Sequence, residues 1–175
     1  MEKLWEFSGE TKQFGYTTLK RIKLAKDCKW GNAGELGGWI EKESNLDESS
    51  FVFGDALVYG DAQVYGNARV YGNEWVYGDA WVYGDAQVSG SAQVYGSAQV
   101  YGDAWEKSPL QIQGTRHFVN RATKTKVQIG CKCFEIDVWL NMFRNIGPAE
   151  GYTKEQVEEY GLYLELIKKI IESEK

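Results

Sequence analysis

The sequence predicts a mainly-β chain: a single-stranded parallel β-helix over residues 40–105, a small β cap over 1–39 and an α+β domain over 106–175. Three observations carry this reading. Between Val52 and Trp105, nine six-residue units follow one another with no insertion or deletion. Val stands at 52, 58, 64, 70, 76, 82, 88, 94 and 100, and Gly comes two positions after each. Beyond Trp105 the period stops at Ser108-Pro109, and short strand patterns followed by helical ones take over. A period this strict means that one structural unit is copied and stacked.

Within each unit Ala-x-Val-Tyr alternates with period two, so Ala and Val share one face while x and Tyr share the other. The Gly-Asp, Gly-Asn or Gly-Ser that follows is turn chemistry, because Gly accepts positive φ and the polar side chain bonds nearby backbone. A meander of hairpins would put the valines of successive strands on opposite faces and leave no continuous core. A chain that always turns the same way keeps every Val and Ala on a common axis. The prediction is therefore a coil with three hexads per turn and rungs about 4.8 Å apart. Nine hexads make three full coils.

Upstream, Ile40/Ser44 and Leu46/Ser50 keep the phase of the later hexads, so degenerate rungs begin near Ile40. Trp5-Glu6-Phe7 and Thr17 to Ile22 alternate as short strands around a Gly9/Gly15 turn region. They supply a cap, which an open solenoid end requires. Downstream, Leu110–Ile112, His117–Val119 and Lys126–Ile129 alternate as strands. Asp137 is read as the N-cap of a helix from Val138 to Arg144, ended by Ile146-Gly147-Pro148. Thr153-Lys154-Glu155-Gln156 is a capping box opening a helix to about Glu172. Its stripe is Val157, Tyr160, Leu164, Ile167 and Ile171, widened by Leu162, Leu166 and Ile170.

Breaks in the repeat single out candidate site residues. Glu74 stands in the inward slot that Ala fills in the other eight hexads. A charge on the axis costs several kcal/mol unless it is paired or protonated, so a bulge that swings Glu74 outward is expected, with a buried functional carboxylate as the alternative. An 18-residue coil stacks Phe53/Tyr71/Ser89, Tyr59/Tyr77/Tyr95 and Tyr65/Tyr83/Tyr101 in columns, and Ser89 leaves a notch beside Tyr71. Such ladders stabilise rungs by stacking, and so much outward aromatic surface also suggests a partner. Arg69, Tyr71, Trp75, Trp81 and Trp105 are the ligand- or partner-binding candidates here.

Charge is uneven. From Leu46 to Trp105 eight acids face Arg69 alone, whereas Lys107 to Phe134 holds six bases and no acid. Arg116, Arg121 and His117, the single histidine, lie in that basic run and complete the candidate set, since such a segment can hold a phosphate or an acidic surface. The acidic coil argues against nucleic-acid binding, which draws on a continuous basic stripe. No apolar run is long enough for a membrane span and the start is too polar for a signal peptide. Cys28, Cys131 and Cys133 are odd in number and form no knuckle pair, so a reduced cytoplasmic chain without disulfides is expected. Zinc on Cys131, Cys133 and His117 lacks a fourth ligand, and neither metal nor cofactor is expected.

The pairs Val52/Ala56 through Val100/Ala104 resemble the hexapeptide-repeat left-handed β-helix proteins, with Tyr after the aliphatic residue as the departure. The array, preceded by Leu36-Gly37-Gly38-Trp39-Ile40-Glu41, also resembles the "VYGDA/VYGNA" repeats of uncharacterised phage and prophage proteins. The first resemblance implies a left-handed coil and an acyltransferase alternative, working as a trimer with His117 as general base. The looped-out insertion of those enzymes is absent. The second implies a non-enzymatic phage-derived protein that binds a host component, either a host protein or a small anionic ligand such as a nucleotide, in a counter-defence role. A homo-oligomer, trimer or dimer, is expected, and a structural assembly element is the third reading.

Overall fold

The structure is a computed structural model that describes residues 3–90 and 92–174; Ser91 of the seventh hexad lies outside them. It divides into two units, Met1–Pro109 and Leu110–Lys175.

The first unit is a β-solenoid of about three turns whose rungs form three parallel sheets. One face pairs Leu36–Ile40, Leu57–Val58, Trp75–Val76 and Gln93–Val94, the second Gln63–Val64, Trp81–Tyr83 and Gln99–Tyr101. The third pairs Phe51–Val52, Arg69–Val70, Gln87–Val88 and Ala104–Trp105. Partners along each column are one coil apart, as in Val58↔Val76, Val64↔Val82 and Val52↔Val70. Ile40↔Val58 and Leu46↔Val64 extend the phase upstream, as the degenerate rungs predict. All nine repeat valines are fully buried, as are Ala56, Ala62, Ala68, Ala80, Ala86, Ala92 and Ala98. Each buried Val contributes about 1.5–3 kcal/mol, so this axis is the core of the unit. Glycine is required at the corners: a Cβ on Gly54, Gly60, Gly66 or Gly78 would approach the next coil's glycine backbone to 3.0–3.3 Å, and φ there is positive.

The last rung departs from the repeat. Val88 pairs with Trp105 and Gln87 with Ala104, one residue short of a full coil. A one-residue slip exchanges the faces of a strand. Trp105, expected outward, therefore occupies the inward valine slot and is 4% exposed. The physical reason lies in the next residue: in register, Glu106 would take that slot, and the slip puts an indole there instead.

At the other end, strands Trp5–Phe14 and Thr17–Leu24 form a hairpin that pairs antiparallel onto Leu36–Ile40 and extends the first face. The hairpin turns at Gly15-Tyr16. Gly9, expected in the turn, sits within the first strand where the register shifts between Phe7 and Thr11. Side chains stand in for a missing coil at this end. Glu41 Oε2 accepts from Gly60 N–H at 2.7 Å, Asp47 Oδ2 accepts from Gly66 N–H at 2.8 Å, and buried Asn45 donates to the Gly60 and Ala62 carbonyls. Exposed rung groups are thereby satisfied.

The second unit is a four-stranded antiparallel sheet, Gln111–Gln113, Phe118–Arg121, Lys126–Ile129 and Lys132–Glu135, packed with α1 (Ile136–Ala149) and α2 (Lys154–Ser173). The last strand was not expected; Gly130 at positive φ turns the chain back to form it. α1 is longer than expected at both ends. Its N-cap is Glu135, Asp137 lies in the first turn paired with Lys168 at 2.7 Å, and Pro148 is accommodated in the last turn. The Thr153–Gln156 capping box forms as expected. Tyr160, Leu164, Ile167 and Ile171 are buried in one core with the sheet, and Val157 is buried against Gly147 of α1. Leu162 and Leu166 face solvent, because the helix rests on the sheet and α1 with one stripe only.

Candidate functional site

The aromatic columns differ from face to face. Tyr59–Tyr77–Tyr95 stack at 5.3 and 5.6 Å, and Tyr65–Tyr83–Tyr101 at 5.1 Å each, with interplanar angles of 4–26°. The third column does not stack. Phe53 and Tyr71 meet edge-on at 6.0 Å, Ser89 ends the run of rings, and the Tyr71 hydroxyl donates to Gln87 Oε1.

Where this ladder breaks, Trp30 is brought in by the loop between Thr17–Leu24 and Leu36–Ile40, which a Cys28↔Gly31 bridge narrows. The Arg69 guanidinium lies over the Trp30 ring at 4.4 Å from its centroid, and Lys29 Nζ lies 4.6 Å from the same ring. Trp30, Phe53, Arg69 and Tyr71 line an open groove of ≈ 270 Å³. Trp30 also lines a neighbouring cleft of ≈ 630 Å³ with Lys26, Asp47, Glu48, Ser49 and Asn67. Asp47 is occupied internally: it accepts from the Ser49, Ser50 and Gly66 backbone N–H groups. Arg69 Nε is buried and has no hydrogen-bond partner. A guanidinium stacked on indole and lining an aromatic-walled groove can take a planar anion.

Other candidates are placed differently. Trp75 and Trp81 are 37% and 40% exposed on two different faces, Trp75 edge-on to Phe14 at 5.4 Å and Trp81 beside Tyr65 at 6.2 Å. They do not join the groove. Arg121 is not available to a ligand: it is 4% exposed and its guanidinium binds both Glu174 oxygens at 2.8 Å and the Lys124 carbonyl. Glu74 is fully buried, which overturns the outward bulge. Its carboxyl folds into the corner over Gly72, where a Cβ would meet Oε2 at 2.7 Å, and neither carboxyl oxygen has a hydrogen-bond partner. Burial pushes its pKa up from the ordinary carboxylate value.

Arg116 and His117 belong to a second constellation, within the C-terminal unit. The Tyr160 hydroxyl accepts from both of their backbone N–H groups and donates to the His117 carbonyl at 2.8 Å. The His117 ring packs on the Gly130 turn and edge-on to Tyr152 at 5.7 Å. Arg116 lies 4.8 Å from the Tyr152 ring centroid and donates to the Gly151 carbonyl. Burial, with smaller help from Tyr160, pushes the Tyr152 phenol up to about 12. Sequence reasoning missed Trp30 and Tyr152; each is an isolated aromatic outside the repeat, with only a neighbouring cation or glycine to signal it.

Comparison with known families supports the coil. The YdcK β-solenoid repeat matches residues 62–78, about one turn of the array. No match was found among curated proteins. Among the described residues no helix is long and apolar enough to cross a membrane.

Proposed function

We propose that this chain is a non-enzymatic binding protein that uses its solenoid as a rigid support and holds a small anionic ligand with a planar ring in the Trp30 groove. The observation that carries this reading is Arg69. It is the one base among the hexads, it is stacked on Trp30, and it lines an aromatic-walled groove. A nucleotide suits this chemistry: the base meets Phe53 and Tyr71, and the phosphate meets Arg69 and Lys29. Calorimetric titration with adenosine monophosphate and diphosphate is the test. Binding that Arg69→Ala and Trp30→Ala each weaken at least tenfold is expected. Equal affinity in the variants would remove the groove from the reading.

A second reading, docking to a host protein, is favoured by the half-exposed Trp75 and Trp81, since large exposed indoles mark interfaces. A host protein that co-purifies with the wild type and is lost from Trp75→Ser/Trp81→Ser would select it. The resemblance to phage arrays motivates a phage origin and a cytoplasmic, counter-defence setting, and the hexapeptide likeness motivates a left-handed coil. The exposed Leu162 and Leu166 on α2 support a homo-oligomer, which light scattering of Leu162→Glu would test.

A further inference from the structure

The C-terminal unit contains a cavity of ≈ 50 Å³ between sheet and helices. Its depth is apolar, with Ile129, Trp139, Phe143, Ile146, Val157 and Leu164 as walls. Its mouth is polar and carries His117, Lys132 and Glu150, with Tyr152 beside them. The space accommodates about four heavy atoms, taking roughly 10–15 Å³ for each water-sized position.

We propose that this cavity binds a small monocarboxylate with a short branched aliphatic tail, the tail buried among the apolar walls and the carboxylate held at the mouth by Lys132 and His117. Two arguments select an acid over a neutral or cationic ligand. The lining sets the donors His117 and Lys132 against the single acid Glu150. Lys132 is held by a half-exposed pair with Glu150 at 3.1 Å, and such pairs are worth little, so an incoming carboxylate can share the ammonium at small cost. The walls supply the rest, since a desolvated pocket with few convergent polar groups is the usual form of a small-molecule site.

This site is separate from the Trp30 groove and stands or falls independently of it. The test is an NMR titration of the full chain with 3-methylbutanoate, and in parallel with 3-methylbutanol and 3-methylbutylamine. Saturable shifts confined to residues 117, 129–132 and 146–152 are expected for the acid, with the amine at least tenfold weaker. Lys132→Ala should weaken the acid about 2–5-fold and Glu150→Gln should tighten it by a similar factor, while the alcohol is unchanged in both. Both side chains are substantially exposed, so these variants keep the fold. Ile146→Phe, which fills the cavity, should remove binding of acid and alcohol alike. Absence of saturable shifts, an alcohol that binds as tightly as the acid, or an acid affinity indifferent to both rim variants would overturn the proposal.

Discussion

Glu74→Ala returns the one divergent hexad to the pattern of the other eight, and it should stabilise the solenoid. In the wild type a fully buried carboxyl sits in the corner over Gly72 with both oxygens lacking partners. An unsatisfied buried polar group costs about 1–3 kcal/mol. The alanine leaves no unusual void, because seven other hexads with a described inward alanine bury it completely at this slot. A gain of about 2 kcal/mol at neutral pH follows, or about 4–8 °C in Tm for a chain of this size. The gain depends on pH with a definite sign. Burial holds the folded-state carboxyl above its ordinary 4.5, so the Glu74 contribution to wild-type stability is fully present below that value and is lost as pH rises through it toward the folded pKa. The loss runs at up to about 1.4 kcal/mol per pH unit and then levels off. Urea titrations of wild type, Glu74→Ala and Glu74→Gln across this range, followed by the β-sheet circular dichroism signal, measure it. A destabilised Glu74→Ala, or a difference from wild type that does not grow as pH rises above 4.5, would refute the assignment of an unpaired axial carboxyl.

Two further outcomes are expected. Glu41 carries the opposite pH dependence: hydrogen bonds from Thr17 and Gly60 hold its pKa below 4.5, so its contribution is present above that value and is lost as pH falls through the folded pKa. Glu41→Gln should therefore lower Tm at neutral pH and converge on the wild type in acid, with the first-coil amides showing faster hydrogen exchange. Trp105→Ala empties the inward slot of the final rung and should cost about 3–5 kcal/mol, with Trp105→Val recovering part of the loss.

How much could be read in advance is best judged residue by residue. The inward valines and alanines, the aromatic columns and the degenerate rungs at Ile40 and Leu46 follow from a six-residue period and side-chain alternation alone. The capping box of α2 follows from four consecutive residues. Trp105 was misplaced because the register slip arises at a boundary, where keeping Glu106 off the axis outweighs continuing the repeat. Glu74 was misplaced because the corner above a glycine can admit a folded-back side chain. Leu162 and Leu166 fall on the apolar side of a helical wheel, yet only the placement of the sheet and α1 decides which stripe they cover.

By itself, then, the sequence determined the repeating part of the molecule, because each hexad meets the same neighbours one coil away and local pattern dictates the contact. The tertiary structure alone decided the candidate sites. Trp30 reaches Arg69 across 39 residues of chain only because the loop between Thr17–Leu24 and Leu36–Ile40 lies against the break in the third ladder. His117 meets Tyr152 only because α1 and α2 close over the sheet. Such contacts do not repeat, so no period announces them.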